Sequence, residues 1–106
     1  MTSDKILEQV REAAAKRLLF LPHTIGQMSR SDRMITTTEI ETVVMTGELI
    51  ESYPEDVRGQ SCLMLGFGEN SRPIHVVCAP KDEYLAIITA YLPDPSKWSS
   101  NFRRRR

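Results

Sequence analysis

The fold is decided by residues 61–79, SCLMLGFGENSRPIHVVCA, in which a short polar segment separates two apolar runs. SCLMLGF and PIHVVCA are rich in aliphatic and β-branched residues, a composition typical of strands. The link GENS (residues 68–71) is too short for a crossover connection, so it predicts a tight antiparallel hairpin. A three-residue loop would set Gly68 opposite Arg72, and the same register would place Cys62 opposite Cys78.

Two further apolar segments flank this hairpin. ELIESY (residues 48–53) precedes it, and YLAIITAYL (residues 84–92) follows it. All the connections are short, so the four strands are expected to form an antiparallel meander. The sequence therefore predicts an α+β fold, in which N-terminal helices pack on one face of a four-stranded antiparallel sheet.

The helices are predicted before the strands. Residues 1–17 carry apolar side chains at helical spacing and indicate an N-terminal helix. A second helix is expected to start near His23, where the pattern is weaker because a glycine and two serines interrupt it. LLFLP (residues 18–22) is too short for a helix and ends in proline, so it is either a short strand or an extended lead-in.

The third helix, Thr37–Thr46, has the clearest local signal. Thr36 and Glu39 have the spacing of a capping box, and a glycine at position 47 supplies a C-terminal stop. The apolar stripe of this helix is expected to pack on the sheet through three residues: Ile40, Val43 and Val44.

Length and composition narrow the class of protein. The chain has 106 residues, 41% hydrophobic content and zero formal net charge, which fits one compact domain over residues 1–106. Acidic Asp4 and Glu8 stand where a signal peptide would be basic, and no apolar run approaches the roughly 20 residues that span a bilayer. We expect a cytoplasmic protein without membrane contact. Its two cysteines should stay reduced, and no metal or other cofactor is expected.

Several motifs together resemble a known family. They are His23 with Met28, then GELIESYPED, SCLMLGFG, RPIHVV, YLPDP and Trp98. This series resembles the uncharacterised prokaryotic domain of unknown function numbered four-two-five-eight, over about residues 20–106. Members of that family look like relatives of the RelE and ParE toxins, and the resemblance implies a RelE-like fold. In RelE-like toxins the sheet face away from the helices handles RNA.

His75 and Arg72 are the first candidate site residues. Strand alternation places His75 with Val77 and Ala79 on one face of the sheet. There the imidazole is either a general acid or base near neutral pH, or a core group bonded to a carbonyl or carboxylate. Arg72 either clamps a phosphate or forms a surface ion pair with an acidic neighbour, Glu69 or Asp56.

Four other residues complete the candidate catalytic set. Glu48, Tyr53 or Tyr91 can orient the imidazole or take the second proton-transfer role if they converge with His75. His23 lies at a helix start, where capping is the default role and an approach to the sheet edge is the alternative.

The chain ends in a basic cluster, Arg103, Arg104, Arg105 and Arg106. Such a tail is most often a solvated, disordered end, and its functional alternative is RNA binding, together with Arg72. Trp98 is expected to fasten the C-terminal segment to the domain rather than to stack on a base.

Two functions follow from these residues and from the resemblance. The first is the toxin of a toxin–antitoxin pair, a metal-independent endoribonuclease in which the ribose 2′-hydroxyl attacks the adjacent phosphate. The second is a non-catalytic protein-binding or regulatory module with a toxin-like fold, which zero net charge favours. The resemblance implies a small antitoxin partner with a zinc-finger segment, besides RNA, and it leaves the oligomeric state open.

Overall fold

The computed structural model describes residues 2–57 and 59–106; the side chains of residues 2–4 lie outside this description, as does Met1 of the predicted first helix. The elements in chain order are α1 (Thr2–Lys16), β1 (Leu18–Phe20), α2 (Pro22–Met28), α3 (Thr37–Thr46), β2 (Glu48–Tyr53), β3 (Ser61–Phe67), β4 (Pro73–Pro80) and β5 (Leu85–Tyr91), with a 3₁₀ turn at Glu69–Ser71.

The predicted hairpin forms the centre of the sheet. β3 and β4 pair antiparallel, and Cys62 lies opposite Cys78 as the register predicted. The Gly68 amide donates to the Arg72 carbonyl over 2.9 Å and closes the loop. Asn70 (φ 58°) and Ser71 (φ 57°) adopt left-handed backbone, a conformation that asparagine tolerates better than most residues.

The predicted sheet of four antiparallel strands was wrong in strand number and in type. The structure has a five-stranded mixed sheet in the order β1-β5-β4-β3-β2. Strands β2 to β5 form the expected antiparallel meander. The fifth strand, β1, pairs parallel to β5, with Leu18 opposite Leu85 and Phe20 opposite Ile87. The strand alternative for residues 18–22 is therefore the observed one.

The third helix forms as predicted. The Glu39 amide donates to Thr36 Oγ1 over 3.1 Å, and the Thr36 amide donates to Glu39 Oε1 over 3.0 Å, which completes the capping box. The expected apolar stripe (Ile40, Val43 and Val44) is fully buried. α3 lies against β3 and β4, so it covers the predicted central hairpin of the sheet.

α1 completes the helical layer. Its buried residues, Ile6, Val10 and Ala13, belong to the same apolar core as the stripe of α3. α1 contacts α3 and β4, so it covers the same face of the sheet as α3. Within the described residues, none of the helices is long and apolar enough to cross a membrane.

A buried threonine fastens α2 to the sheet. The β4–β5 register shifts between Val77 and Cys78, whose partners are Thr89 and Ile87. The extra residue, Ile88, forms a bulge. Thr24 is fully buried, and its hydroxyl lies 2.7 Å from the Ile88 carbonyl. This hydrogen bond satisfies a carbonyl that the bulge removes from the regular ladder.

We predict opposite stability changes for two glycine-to-alanine substitutions. A Cβ atom at Gly66 would lie 2.8 Å from Val43 Cγ2 and 3.0 Å from Val43 Cα, whereas one at Gly26 would meet nothing within 4 Å. Gly66→Ala should therefore lower the free energy of unfolding by about 1–3 kcal/mol. Gly26→Ala, within α2, should raise it by about 0.5–1 kcal/mol. Urea unfolding measures both, and equal stability of the two variants would contradict the tight approach of α3 to β3.

Candidate functional site

His75 lies on the sheet face away from the helices, beneath the C-terminal segment (residues 93–106). The imidazole is 0% exposed. Trp98 covers it, with 4.4 Å between ring centroids and an edge-on angle of 87°. The C-terminal segment therefore covers this part of the sheet face, and His75 makes contact with protein atoms on both of its ring nitrogens.

The partners of the two ring nitrogens fix the tautomer of His75. Nε2 lies 2.9 Å from the Phe102 carbonyl oxygen, which only accepts, so Nε2 must carry the hydrogen. Nδ1 is then an acceptor, and it faces the Tyr91 hydroxyl at 3.3 Å. Burial lowers the pKa of His75, although the carbonyl partly opposes this effect. His75 is thus a neutral imidazole that accepts a hydrogen bond from Tyr91.

Arg72 does not join His75. Its guanidinium reaches the start of α3, where Nη2 lies 2.8 Å from Glu39 Oε1 and Nε lies 3.2 Å from Glu39 Oε2. It also donates to the carbonyls of Arg33 and Met34, over 2.7 Å each. The expected surface pairing with Glu69 or Asp56 was wrong, because the partner is a carboxylate of the helical layer that is only 5% exposed.

Glu39 is held as a carboxylate by this arrangement. The Arg72 hydrogen bonds, together with those from the Thr36 and Glu69 amides, lower the pKa of Glu39 from 4.5 to about 2, against the opposing effect of burial. Arg72 thus has the contacts of a structural group. The structure separates it from the imidazole with which the sequence grouped it.

Three other candidates share the face of His75. Glu48, Tyr53 and Tyr91 are all on β2 or β5 with side chains on this side of the sheet. Glu48 is bound by Arg103, with 2.8 Å between Glu48 Oε2 and Arg103 Nε. Tyr53 donates to Glu51, and its pKa is raised to about 12, first by burial and then by this carboxylate. Tyr91 alone contacts His75.

The sequence pattern did not identify Glu51 as a site residue, because a β-bulge in β2 changes the face on which it lies. The β2–β3 register shifts between Leu49 and Glu51, so Glu48 and Glu51 lie on the same face although strict alternation would separate them. Glu51 binds Arg105 over 2.9 and 3.0 Å. No signal in the sequence marks this bulge, so alternation alone could not have found Glu51.

The basic tail is folded onto the sheet. Besides the pairs of Arg103 with Glu48 and Arg105 with Glu51, the Arg105 guanidinium lies 4.7 Å from the centre of the Trp98 ring. The Arg106 side chain donates to a backbone carbonyl of the same segment. The arginines stay largely solvent-exposed, as expected, but these contacts hold the segment against the sheet, so the expected disordered end is not observed; Trp98 fastens the segment as expected.

His23 is exposed in the first turn of α2. The N-cap residue of that helix is Leu21, and no side chain caps it. The expected capping role of His23 was therefore wrong. Pro22 at the first helical position explains why no cap is needed there, since its missing N–H removes one of the unsatisfied donors.

Tyr91 connects the buried imidazole to an open cleft. This Tyr91 cleft has a volume of about 410 Å³ and is lined by Asp32, Arg33, Tyr91, Leu92, Asp94, Lys97, Trp98 and Arg105. Three of these side chains are cationic and two are anionic. Burial raises the pKa of Tyr91, so the phenol keeps its proton at neutral pH. The cleft thus has one more cationic than anionic side chain, and the phenol of Tyr91 lies at its wall.

A family model covers most of this architecture. The model of a domain of unknown function, DUF4258, matches residues 20–92. The chain belongs to the DUF4258 family. No curated protein and no solved structure matches it. The DUF4258 match contains Arg33, Arg72, His75 and Tyr91, but it ends before Trp98, short of the extent that the sequence motifs suggested. α1 and the C-terminal segment lie outside it.

The sequence predicts that this protein binds no metal ion. Among the side chains of residues 5–57 and 59–106 of this DUF4258 protein, no three His, Cys, Asp or Glu are grouped closely enough to hold a metal ion.

We predict that Arg72→Ala destabilises the DUF4258 domain strongly. The substitution would leave the buried Glu39 carboxylate without its cation, which typically costs about 3–5 kcal/mol. Arg30→Ala is the matched control, because the Arg30–Asp32 pair is 59% and 63% exposed and should contribute at most about 1 kcal/mol. Chemical denaturation measures both, and similar losses for the two variants would contradict the role assigned to Arg72.

We also predict an acid-sensitive contribution from His75. Its pKa is lowered below 6.5 in the native state, so the unfolded chain binds the proton more readily. The neutral imidazole therefore contributes to stability above pH 6.5, and the free energy of unfolding falls as the pH drops below 6.5. His75→Gln, whose amide can still donate to Phe102 and accept from Tyr91, should lose this part of the pH dependence. Urea unfolding from pH 7.5 to 5 measures it, and identical slopes would contradict the burial.

Proposed function

We propose that this protein is a metal-independent endoribonuclease, the toxin of a toxin–antitoxin pair, and that it reacts at the Tyr91 cleft. The observation that carries the proposal is the Tyr91 hydroxyl, which lies 3.3 Å from a neutral imidazole nitrogen of His75 and lines a cleft with three cationic side chains. A proton acceptor and a phosphate-binding surface thus meet at one phenol.

The proposed reaction is an internal transfer at phosphorus. The ribose 2′-hydroxyl passes its proton to the Tyr91 oxygen while Tyr91 passes its own proton to His75 Nδ1. The 2′-oxygen forms its bond to phosphorus and the bond from phosphorus to the 5′-oxygen breaks. Solvent protonates the leaving 5′-oxygen on the opposite side of phosphorus, and the proton on His75 returns through Tyr91 to solvent. The products are a 2′,3′-cyclic phosphate and a 5′-hydroxyl.

The surrounding charges support each step. Arg33, Lys97 and Arg105 line the cleft, where cations stabilise the charge that develops on the phosphorane oxygens. The imidazolium formed in the relay is stabilised by the charge of Glu51 and by the Phe102 carbonyl, whereas burial and Arg105 oppose it. An imidazole with a lowered pKa holds the proton briefly and returns it readily.

This assignment changes the roles expected from the sequence. His75 acts through Tyr91 and is a positioning residue, because the C-terminal segment separates it from the cleft. Tyr91 becomes the group that touches the substrate. Arg72 is replaced as the phosphate-binding residue by Arg33, Lys97 and Arg105, which come from the α2–α3 link and the C-terminal segment.

The partner and the setting belong to the same proposal. We propose a small antitoxin, with a zinc-finger segment, as the protein that restrains the activity, in the cytoplasm of a prokaryote. The family resemblance supports this partner. Coexpression of the neighbouring reading frame, followed by size-exclusion chromatography, tests it; separate elution of the two proteins at micromolar concentration would count against it.

A non-catalytic protein-binding module is the second candidate function. The observation that favours it is the complete burial of His75, together with the use of Arg103 and Arg105 to bind the chain's own glutamates. A chain with zero net charge also lacks the excess of cations that small RNA-binding proteins use for affinity.

We predict that Tyr91→Phe lowers the rate of RNA cleavage by about 10²-fold or more, because it removes the hydroxyl that relays the proton. Single-turnover cleavage of a labelled single-stranded RNA, with detection of the cyclic phosphate, measures the rate. Binding of uncleavable 2′-deoxy substrate should be unchanged in Tyr91→Phe but weakened in Lys97→Glu. These two readouts separate proton transfer from phosphate binding.

Tyr84→Phe is the matched control, since it removes a phenol hydroxyl outside the cleft. Cleavage at the wild-type rate by Tyr91→Phe would reject the mechanism. Absence of cleavage by the purified wild-type protein, free of any partner, would favour the protein-binding module.

A further inference from the structure

Cys62 and Cys78 form a pair that the proposed reaction does not use. They are directly opposite on β3 and β4, and their Sγ atoms lie 3.9 Å apart. Directly opposed residues of an antiparallel pair have Cα atoms about 4.5–5.5 Å apart, within the 4.4–6.8 Å that a disulfide spans. A disulfide bond is about 2.05 Å long, so the two sulfurs need only a small displacement to bond.

The composition of the chain makes this pairing specific. The sequence has two cysteines, and both are free thiols in the structure. Within one molecule, each thiol therefore has the other as its sole possible disulfide partner. The strands hold the two sulfurs together before any reaction, which greatly raises their effective concentration.

An open cleft lies near the pair, although neither cysteine lines it. Both thiols are buried under the helical layer. A cleft of about 240 Å³ at this end of the sheet is lined by α1 residues and by Gln60 and Pro80, each two positions from a cysteine. Small opening motions of α1 at this cleft would connect the thiols to solvent.

We propose that Cys62 and Cys78 are an intramolecular thiol pair that a peroxide converts reversibly into a cross-strand disulfide. One thiolate attacks the peroxide, so that a sulfur–oxygen bond forms, the oxygen–oxygen bond breaks and water leaves after protonation. The second thiolate then attacks the sulfenic sulfur; the disulfide forms and a second water leaves. Two thiols are oxidised and one hydrogen peroxide is reduced to two waters.

The order of the two steps follows from the contact between the sulfurs. The contact between the two thiols lowers the pKa of Cys62, whereas the same contact and burial raise the pKa of Cys78. Cys62 is then the sulfur that meets the peroxide, and Cys78 resolves the sulfenic acid. A thiol exchange reagent reverses the reaction.

Peroxide titration of the purified full-length protein tests this assignment. Treated wild-type protein should lose both titratable thiols, remain monomeric on a non-reducing gel and become lighter by two hydrogen atoms in an intact-mass spectrum. Dithiothreitol should restore both thiols. A thiol count that stays at two, or a mass gain of one or more oxygen atoms without loss of hydrogen, would overturn the proposal.

Single alanine variants supply the controls. Cys78→Ala should stop at a sulfenic acid that a dimedone probe captures, whereas Cys62→Ala should react more slowly with the same probe. A disulfide-linked dimer of wild-type protein instead of an internal bond would also overturn the proposal. If a variant does not fold, the wild-type protein alone still tests the proposal: the rate of thiol loss is compared between the folded and the urea-unfolded protein. Equal rates and products in the two states would show that the strand register contributes nothing.

Discussion

The Glu39–Arg72 ion pair is the interaction on which the arrangement of this protein depends. Its carboxylate completes the capping box of α3 and also accepts from the Glu69 amide in the hairpin loop, over 2.8 Å. Its guanidinium holds two backbone carbonyls of the α2–α3 link. The α2–α3 link with the start of α3 (residues 33–39) and the hairpin loop (residues 69–72), about 30 positions apart in sequence, thus meet at one pair of charges. Because the carboxylate is nearly buried, removing Arg72 would leave a desolvated charge.

Local signals in the sequence were sufficient for the elements whose interactions are themselves local. The hairpin of residues 61–79 has a short turn between two apolar runs, and its register followed from the length of that turn. The helix Thr37–Thr46 has a cap, a stripe and a stop within a dozen positions. Its packing on the sheet followed from the stripe. These features depend on residues that are close in the chain, which is why they could be predicted.

The features that the sequence did not reveal depend on contacts between distant segments. β1 has three residues, too few to show a period, and its partner strand lies near the other end of the chain. The bulges that move Glu51 and Ile88 depend on how neighbouring strands pair. The prediction of the candidate site was changed most by the position of the C-terminal segment. Its arginines looked like a free tail because their glutamate partners lie on β2, and its Trp98 fixes a histidine whose neighbours could not be known beforehand.

The parallel pairing of β1 with β5 also sets an order of assembly. During synthesis the ribosome releases Leu18 and Phe20 early, but the strand that covers them ends at Tyr91. The hairpin of β3 and β4 can close as soon as its own residues emerge, since its contacts are local. The β1 edge must wait for nearly the whole chain, and closing so long a loop is entropically costly. We therefore expect the sheet to grow outward from its central hairpin, with β1 the last strand to pair.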